Sequence, residues 1–353
     1  MKNVTFVSGR LGGGGSERVL TLVANQMRRD GYNVSIIAFG QMNREYDNEC
    51  SVTILKYTND FNQIAALRKE IRRQNPNVVI AFEYYVGMKT VLATRGLGIK
   101  VIVSERNDPH KLDSQPVKKI LRNLLYGWAD TIVCQTDDAK AYFSNRIQKR
   151  ARVICNPVKN DLPLWSGEQS HTIINYCKLE KQKNLSLLIE SFSLIKDRYP
   201  EWKLEIYGEG SEKQKLLELI DSKGLQDSVK IYPFAENIHE IAATKYMFVS
   251  SSDFEGISNS MLEAMAMGMP VICTDCPIGG ARMVIHDKKN GCLTPIGDTE
   301  KLESCMRSLI NDIEGTLKMA NEAAKVRERY SLKKITKQWE RVCEENKGEI
   351  IQP

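Results

Sequence analysis

Residues Asp253 to Gly268 read DFEGISNSMLEAMAMG, between the apolar runs YMFVSS (246–251) and MPVICTD (269–275). A strand-like run, a loop of small and acidic residues, a short helical pattern and a second strand-like run make a strand–helix–strand unit. Both flanking runs are continuously apolar rather than alternating, as in strands covered on both faces of a parallel sheet. Ser258 or Asn259 is placed to cap the helix, so that the N–H groups of residues 256–260 point past the strand end. Glu255 falls in the loop at that end. Glu263, eight positions on, is expected about one turn into the helix, near its N-terminal end rather than buried deep. The helix is otherwise apolar all round, so a glutamate inside it needs a partner.

The same alternation extends in both directions. Apolar runs at 4–9, 33–40, 51–56, 77–82, 100–105 and 130–136 are separated by helical patterns at 16–29, 61–74, 85–95, 116–128 and 137–148. Residues 156–170 (NPVKNDLPLWSGEQS) read as a linker. Strand runs at 171–176, 202–208, 228–232, 246–251 and 270–274 then alternate with helices at 184–198, 211–223, 237–243 and 258–268; helices at 298–312, 315–328 and 332–347 finish the chain. This predicts an α/β protein of two doubly wound, Rossmann-like domains facing across a cleft. The expected domains are 1–160 and 161–331, with the C-terminal helix (332–353) packing back on the first.

A length of 353 residues is too great for one ordinary core. A composition of 42% hydrophobic and 27% charged residues is that of a soluble enzyme. No apolar run approaches the roughly 20 residues that span a bilayer, and MKNVTFVSG is too short for a signal peptide, so a cytoplasmic location is expected. The nine cysteines are scattered and read as reduced, buried thiols. Cys273 and Cys276 form a lone CxxC without a second pair, and neither a zinc nor a redox site is expected there. Residues 1–160 carry 25 Lys and Arg against 14 Asp and Glu, net +11, whereas the remainder carries 25 against 30, net −5. The first half is therefore suited to an anionic partner such as a membrane surface or a phosphorylated lipid. Nucleic acid is excluded, because no reading motif or interleaved aromatics accompany the charge.

Two further loops fall at strand ends. Ser8 to Val19 reads SGRLGGGGSERV, and glycines before a helix let backbone amides approach an anion. No G-x-G-x-x-G register exists there and no Gly-Lys-Ser/Thr, which removes the dinucleotide fingerprint and the P-loop. In the second half, Tyr176 to Asn184 reads YCKLEKQKN. Its lysines crowd a helix start, and the turn is read either as a solvated surface or as a diphosphate site.

The block DFEGISNSMLEAMAMGMPVICTD resembles the E-x7-E signature of the retaining glycosyltransferases of family 4, which have the GT-B fold. GGGSERV, SERNDP, CNPV, KLEKQKN, YGEGSE and TDCPIGGARMVI are similar in order, so the resemblance covers nearly the whole chain. It implies that Glu263 binds the ribose of a nucleotide-sugar and that Glu255 sits beside the transferred sugar. Gly256 and the amides of Ile257, Ser258, Asn259 and Ser260 would meet the donor's diphosphate or sugar, with Gly14 and Gly15 approaching from the other domain. An Arg and a Lys five positions apart neutralise the diphosphate in the family; Lys178 and Lys183 hold that spacing here. Family members often carry a histidine after the run KVIVSE; this chain has Ser104-Glu105-Arg106-Asn107, then His110, so Glu105, Arg106, Asn107 and His110 are the acceptor-side candidates.

The resemblance further implies front-face attack, with the leaving diphosphate taking the acceptor's proton. No metal and no cofactor are expected, the nucleotide-sugar (a UDP-hexose or UDP-N-acetylhexosamine) being a co-substrate. The acceptor is expected to be a lipid-linked saccharide of bacterial surface glycan synthesis. Helix 116–128 sets Val117, Ile120, Leu121, Leu124 and Trp128 near one stripe with Lys118, Lys119 and Arg122 beside it, a pattern that suits either an anionic membrane or core packing. Peripheral attachment to the inner face of the cell membrane is the expectation. The alternatives are a nucleotide-sugar epimerase of the same fold, against which the scarcity of histidines speaks, and an exported sugar-binding protein, for which no export signal is present.

Overall fold

The computed structural model describes residues 2–40, 46–56 and 59–345. In the first half the apolar runs are strands: β1 (Asn3–Ser8), β2 (Asn33–Ala38), β3 (Ser51–Ile54), β4 (Val78–Phe82), β5 (Lys100–Ser104), β6 (Thr131–Cys134) and β7 (Ala151–Val153). They pair in parallel in the order β3-β2-β1-β4-β5-β6-β7. Every residue of β4, β5 and β6 is buried, which is why these runs carry no polar alternation. The helices are α1 (Gly15–Arg29), α2 (Asp60–Gln74), α3 (Tyr84–Thr94), α4 (Pro116–Tyr126), α5 (Asp137–Ala141) and α6 (Asn145–Gln148). The single helix expected over 137–148 is thus two, because Ser144 is extended (φ −60°, ψ 153°) and starts a new turn. On one face of this sheet Val7, Ile37, Val79 and Ala81 meet Leu67 and Ile71 of α2 and Val86 and Ala93 of α3.

The second half repeats the plan with β8 (Thr172–Tyr176), β9 (Lys203–Tyr207), β10 (Val229–Tyr232), β11 (Met247–Ser250), β12 (Val271–Thr274) and β13 (Cys292–Thr294). These are also parallel, in the order β10-β9-β8-β11-β12-β13. Its helices are α7 (Leu185–Arg198), α8 (Lys213–Ser222), α9 (Ile238–Ala243), α10 (Asn259–Met267), α11 (Thr299–Asn311), α12 (Ile313–Ala324) and α13 (Val326–Arg329). Ile173, Leu204, Ile206, Val249 and Ile272 pack with Leu188 and Phe192 of α7 and Leu302 and Met306 of α11. In both sheets the order reverses beside the first strand, at β1/β4 and at β8/β11, the position where doubly wound sheets bind ligands outside the carboxyl ends.

The chain forms two compact units, residues 158–331 and residues 2–157 with 332–345. The stretch expected to be a linker is stitched to the second unit from Val158 onward. Val158 N donates to Tyr330 O, Trp165 N to Met267 O and Ser166 N to Ala243 O, each at 2.8 Å. The last helix, α14 (Leu332–Glu344), packs in the first unit. Trp339, fully buried, stacks on Phe82 of β4 at 5.5 Å. Lys100 of β5 donates to the carbonyls of Val342 and, at 2.6 Å, Glu345, while Arg152 pairs with Glu345 at 3.1 Å. The part of the expected helix at 346–353 lies outside the described residues.

Among the described residues no helix is long and apolar enough to cross a membrane. All nine cysteines are free thiols, Cys177 and Cys305 half-buried and the others buried.

Candidate active site

In the second unit the loops after β8, β11 and β12 meet beyond the strand ends. After β8 the chain makes a short 3-10 turn (Lys181–Lys183) and enters α7 through Asn184. Asn184 is left-handed (φ 41°, ψ 49°) and caps α7 by accepting from Leu187 N; asparagine is among the side chains that tolerate this conformation. Its Nδ2 donates to Asp253 Oδ1 at 2.7 Å, Asp253 N donates to Gln182 O at 3.0 Å, and Ser251 Oγ donates to the carbonyls of Lys183 and Asn184. These bonds fix the lysine turn against the loop that carries Glu255.

Lys183 Nζ lies 2.5 Å from Glu255 Oε2, and Gln182 Nε2 donates to the same oxygen at 3.1 Å and to Phe254 O at 2.8 Å. Burial works against the Lys183 charge, but the Glu255 carboxylate outweighs it and the ammonium's pKa is raised. Lys178 is exposed. The structure thus brings Lys183 to Glu255 and leaves Lys178 at the surface of the same turn.

α10 starts where expected. Ser258 is extended and its Oγ accepts from Met261 N at 3.3 Å, and Gly268 closes the helix with φ 87°, a conformation open to glycine. The first amides of a helix have no acceptor inside it, and here they belong to Asn259 and Ser260, just past the Gly256–Ile257 pair. The loop after β12 presses on Gly256: a Cβ on Gly280 would stand 1.8 Å from Gly256 O, so only glycine fits. Thr274 Oγ1 and Cys276 Sγ both donate to Ser252 O, at 2.5 and 2.8 Å.

Glu263 departs from expectation. Only 2% of it is exposed, because α10 is covered on all sides rather than presenting a face to solvent. Its Oε2 lies 3.0 Å from Nε2 of His239, on α9. The required partner is therefore a histidine 24 residues away in sequence, with no local signal to reveal it. Tyr176 sits against the same ring edge-on at 6.2 Å and donates to Ser260 O at 3.0 Å. Glu255 is held by a lysine and Glu263 by a histidine.

In the first unit Gly14 precedes α1 in an extended conformation, and Gly12 and Gly13 have positive φ (93° and 76°). Gly14 also leaves room for Glu17, since a Cβ there would stand 1.9 Å from Glu17 Oε2; Arg10 Nε donates to Glu17 Oε1 at 3.0 Å. Of the candidates after β5, Glu105 is buried, accepts from Tyr126 at 3.1 Å and has its pKa pushed up to about 7 by burial. Arg106 donates to Asn156 Oδ1, and burial lowers its pKa to about 10. Asn107 is exposed; His110, half exposed, pairs with Asp108 Oδ1 at 2.8 Å and stands edge-on to Tyr142. Glu83 was not singled out from the sequence. It follows β4 with φ 74°, and burial raises its pKa. Arg122, expected on the basic edge of α4, is instead 1% exposed and bonded to Pro109 O, because it turns inward toward Glu105.

Two doubly wound units, the second gathering a lysine turn, two carboxylates and a capped helix start at its switch point, define an α/β enzyme of the GT-B class. Residues 13–162 match the model of glycosyltransferase family 4, and residues 165–326 match that of glycosyl transferases group 1. The chain belongs to these glycosyltransferases. It is 26% identical to an uncharacterized glycosyltransferase of Haemophilus influenzae, covering 96% of this chain and 99% of that one. It is 24% identical, over 99% and 100% of the two chains, to a Campylobacter jejuni α-1,4-N-acetyl-D-galactosaminyltransferase whose name gives a diNAcBac-PP-undecaprenol-linked substrate. In fold it is similar to Anabaena HepE, solved with UDP-glucose (TM-score 0.85, 17% identity, 98% and 100% coverage). These matches give the epimerase alternative no support.

Proposed function

We propose that this glycosyltransferase moves a hexosyl or N-acetylhexosaminyl group from a UDP-sugar to a lipid-linked saccharide with retention of configuration and without a metal. The observation that carries the reading is the Lys183–Glu255 contact fixed beside the start of α10. Glu255 is placed at the transferred sugar and Glu263, oriented by His239, at the ribose. Gly256, Ile257, Ser258, Asn259 and Ser260 offer backbone and hydroxyl groups to the diphosphate, and Gly14 and Gly15, at the start of α1 in the acceptor-binding unit, are read as a second anion-facing loop.

In the reaction the bond from the sugar's anomeric carbon to the diphosphate oxygen breaks. The acceptor oxygen bonds to the same face of that carbon, and its proton passes to the departing diphosphate. Lys183, Lys178 and the α10 start stabilise the negative charge that develops. Lys183 is shared: it holds Glu255 at rest and faces the phosphate as charge builds there. The names of the relatives, among them a transferase acting on an undecaprenol-linked glycan and a poly(glycerol-phosphate) α-glucosyltransferase, support surface-glycan synthesis.

α4 supports the membrane part. Val117 and Ile120 are 78% and 69% exposed, and Leu121, Leu124 and Trp128 are exposed on the same stripe. Lys118 is also exposed beside them, and Arg95 lies over the Trp128 ring at 4.6 Å. An apolar face edged by cations matches an anionic lipid surface.

The deciding experiment is thermal unfolding with a panel of UDP-, GDP- and ADP-sugars, with and without EDTA. A UDP-sugar is expected to raise Tm equally in both buffers. If no nucleotide-sugar raises Tm, the donor assignment is lost; if EDTA abolishes the shift, the metal-free reading is.

A further inference from the structure

At the carboxyl edge of the first sheet an arginine is left with two of its nitrogens unbonded. Arg106 follows β5, its guanidinium lies 5.0 Å from the centre of the Phe82 ring, and its Nη2 donates to Asn156 Oδ1. Nε and Nη1 are buried and have no hydrogen-bond partner. Buried donors are nearly always satisfied, and buried charges are kept where an opposite charge meets them.

Glu83 and Glu105 act on the Arg106 guanidinium from nearby, but neither bonds it: Glu105 accepts from Tyr126 at 3.1 Å and Glu83 is hydrogen-bonded to Tyr85. Two more buried oxygens at adjacent strand ends, Ser104 Oγ and Gln135 Oε1, also have no partner, and Gln135 Nε2 shares the Asn156 oxygen at 2.8 Å. Arg106 and Gln135, from two neighbouring strand ends, share one asparagine oxygen and each keeps an unsatisfied atom, which makes a polar site rather than a single stray atom. Glu83 adds a strained backbone at the next strand end (φ 74°), and such strain persists where the surroundings impose it.

We infer that Arg106 is the acceptor-binding residue for an anionic group, a phosphate or a carboxylate carried by the acceptor. The inference rests on the glycosyltransferase reading above. Two separate donor nitrogens suit a group with more than one anionic oxygen, and a basic half of net +11 (25 Lys and Arg against 14 Asp and Glu) draws it in. The adjoining Ser104 and Gln135 complete the recognition of a hydroxyl next to that anion. His110, half exposed and paired with Asp108, takes no part.

The test uses the full chain saturated with UDP, so that the lysine turn of the second unit is occupied. Inorganic phosphate and glucuronate are titrated separately while the Arg106 Nε–H resonance is followed, assigned by its loss in Arg106→Lys. One of the two is expected to shift that resonance saturably, and Arg106→Lys, which keeps the charge and loses the Nε donor, to bind it at least about tenfold more weakly by calorimetric titration of both proteins. Arg106→Gln is expected to lose transfer while UDP still raises its Tm; should it not fold, the lysine variant and the wild-type titration decide. A phosphate response assigns a phosphorylated acceptor and a glucuronate response an acidic sugar. If UDP binds but neither anion moves the resonance, or if Arg106→Lys binds as wild type does, the inference is overturned. If UDP itself does not bind, the donor reading fails instead.

Discussion

At the scale of single residues, the two signature glutamates are separated by what holds them. Glu255 shares Lys183 and Gln182, whereas Glu263 is buried against His239. Lys183→Ala is expected to lower kcat about 100-fold or more, as when one preorganised donor to a developing oxyanion is lost, and Glu255→Ala likewise to act mainly on kcat. Glu263→Ala should instead raise the donor KM. Steady-state kinetics on the three variants separate these outcomes; equal, small effects for both glutamates would remove their assigned roles. Glu105 supplies a pH test. Its carboxyl has an ordinary value of 4.5, raised by burial to about 7 in the fold. The unfolded chain therefore releases this proton first, and the group's contribution to stability is complete below pH 4.5 and lost as pH rises through 7. The loss amounts to about 3 kcal/mol. Urea unfolding at pH 5 and pH 8 should show Glu105→Gln with a smaller drop than wild type, and identical drops would mean the group is not perturbed. The cap was narrowed to Ser258 or Asn259 because capping is local, three residues from donor to acceptor, and the structure shows Ser258. The His239 partner was not, since burial of α10 depends on helices distant in the chain.

At the scale of elements, the strand runs were legible because parallel strands buried on both faces must be continuously apolar. What was missed was short: β7 and β13, three residues each, carry too little sequence to show a period. The helix expected at 315–328 splits into α12 and α13 at Lys325, a break no proline or glycine announces. α4 is the element whose pattern most needs a partner. Its inner side buries Leu125, Tyr126 and Arg122, so the exposed Ile120 and Leu124 contribute little to the fold. Ile120→Ser with Leu124→Ser is expected to leave Tm within a degree or two and to weaken sedimentation with anionic vesicles at least tenfold. Two side chains inserted into lipid contribute about 3–6 kcal/mol. Undiminished binding to the vesicles would locate the membrane contact elsewhere.

At the scale of the whole molecule, the chain leaves its first unit at Pro157 and returns to it at Leu332. The last helix was expected on the first domain, and what holds it there is the fit of Trp339 on Phe82 and of the Val342 and Glu345 carbonyls around Lys100. Lys100 is buried and its pKa is lowered by that burial, so the returning helix does more than cover apolar surface: it supplies the acceptors that a buried ammonium needs. Trp339→Ala removes a fully buried ring and is expected to cost about 3–5 kcal/mol. The loss should fall on the first unit alone, because the loops that carry Lys183, Glu255 and Glu263 are all within residues 158–331. Calorimetry of the variant should therefore show a lowered transition that nucleotide-sugar still raises by the wild-type increment. If the increment disappears with the tryptophan, donor binding depends on the first unit's integrity, and the second unit is not by itself the donor site.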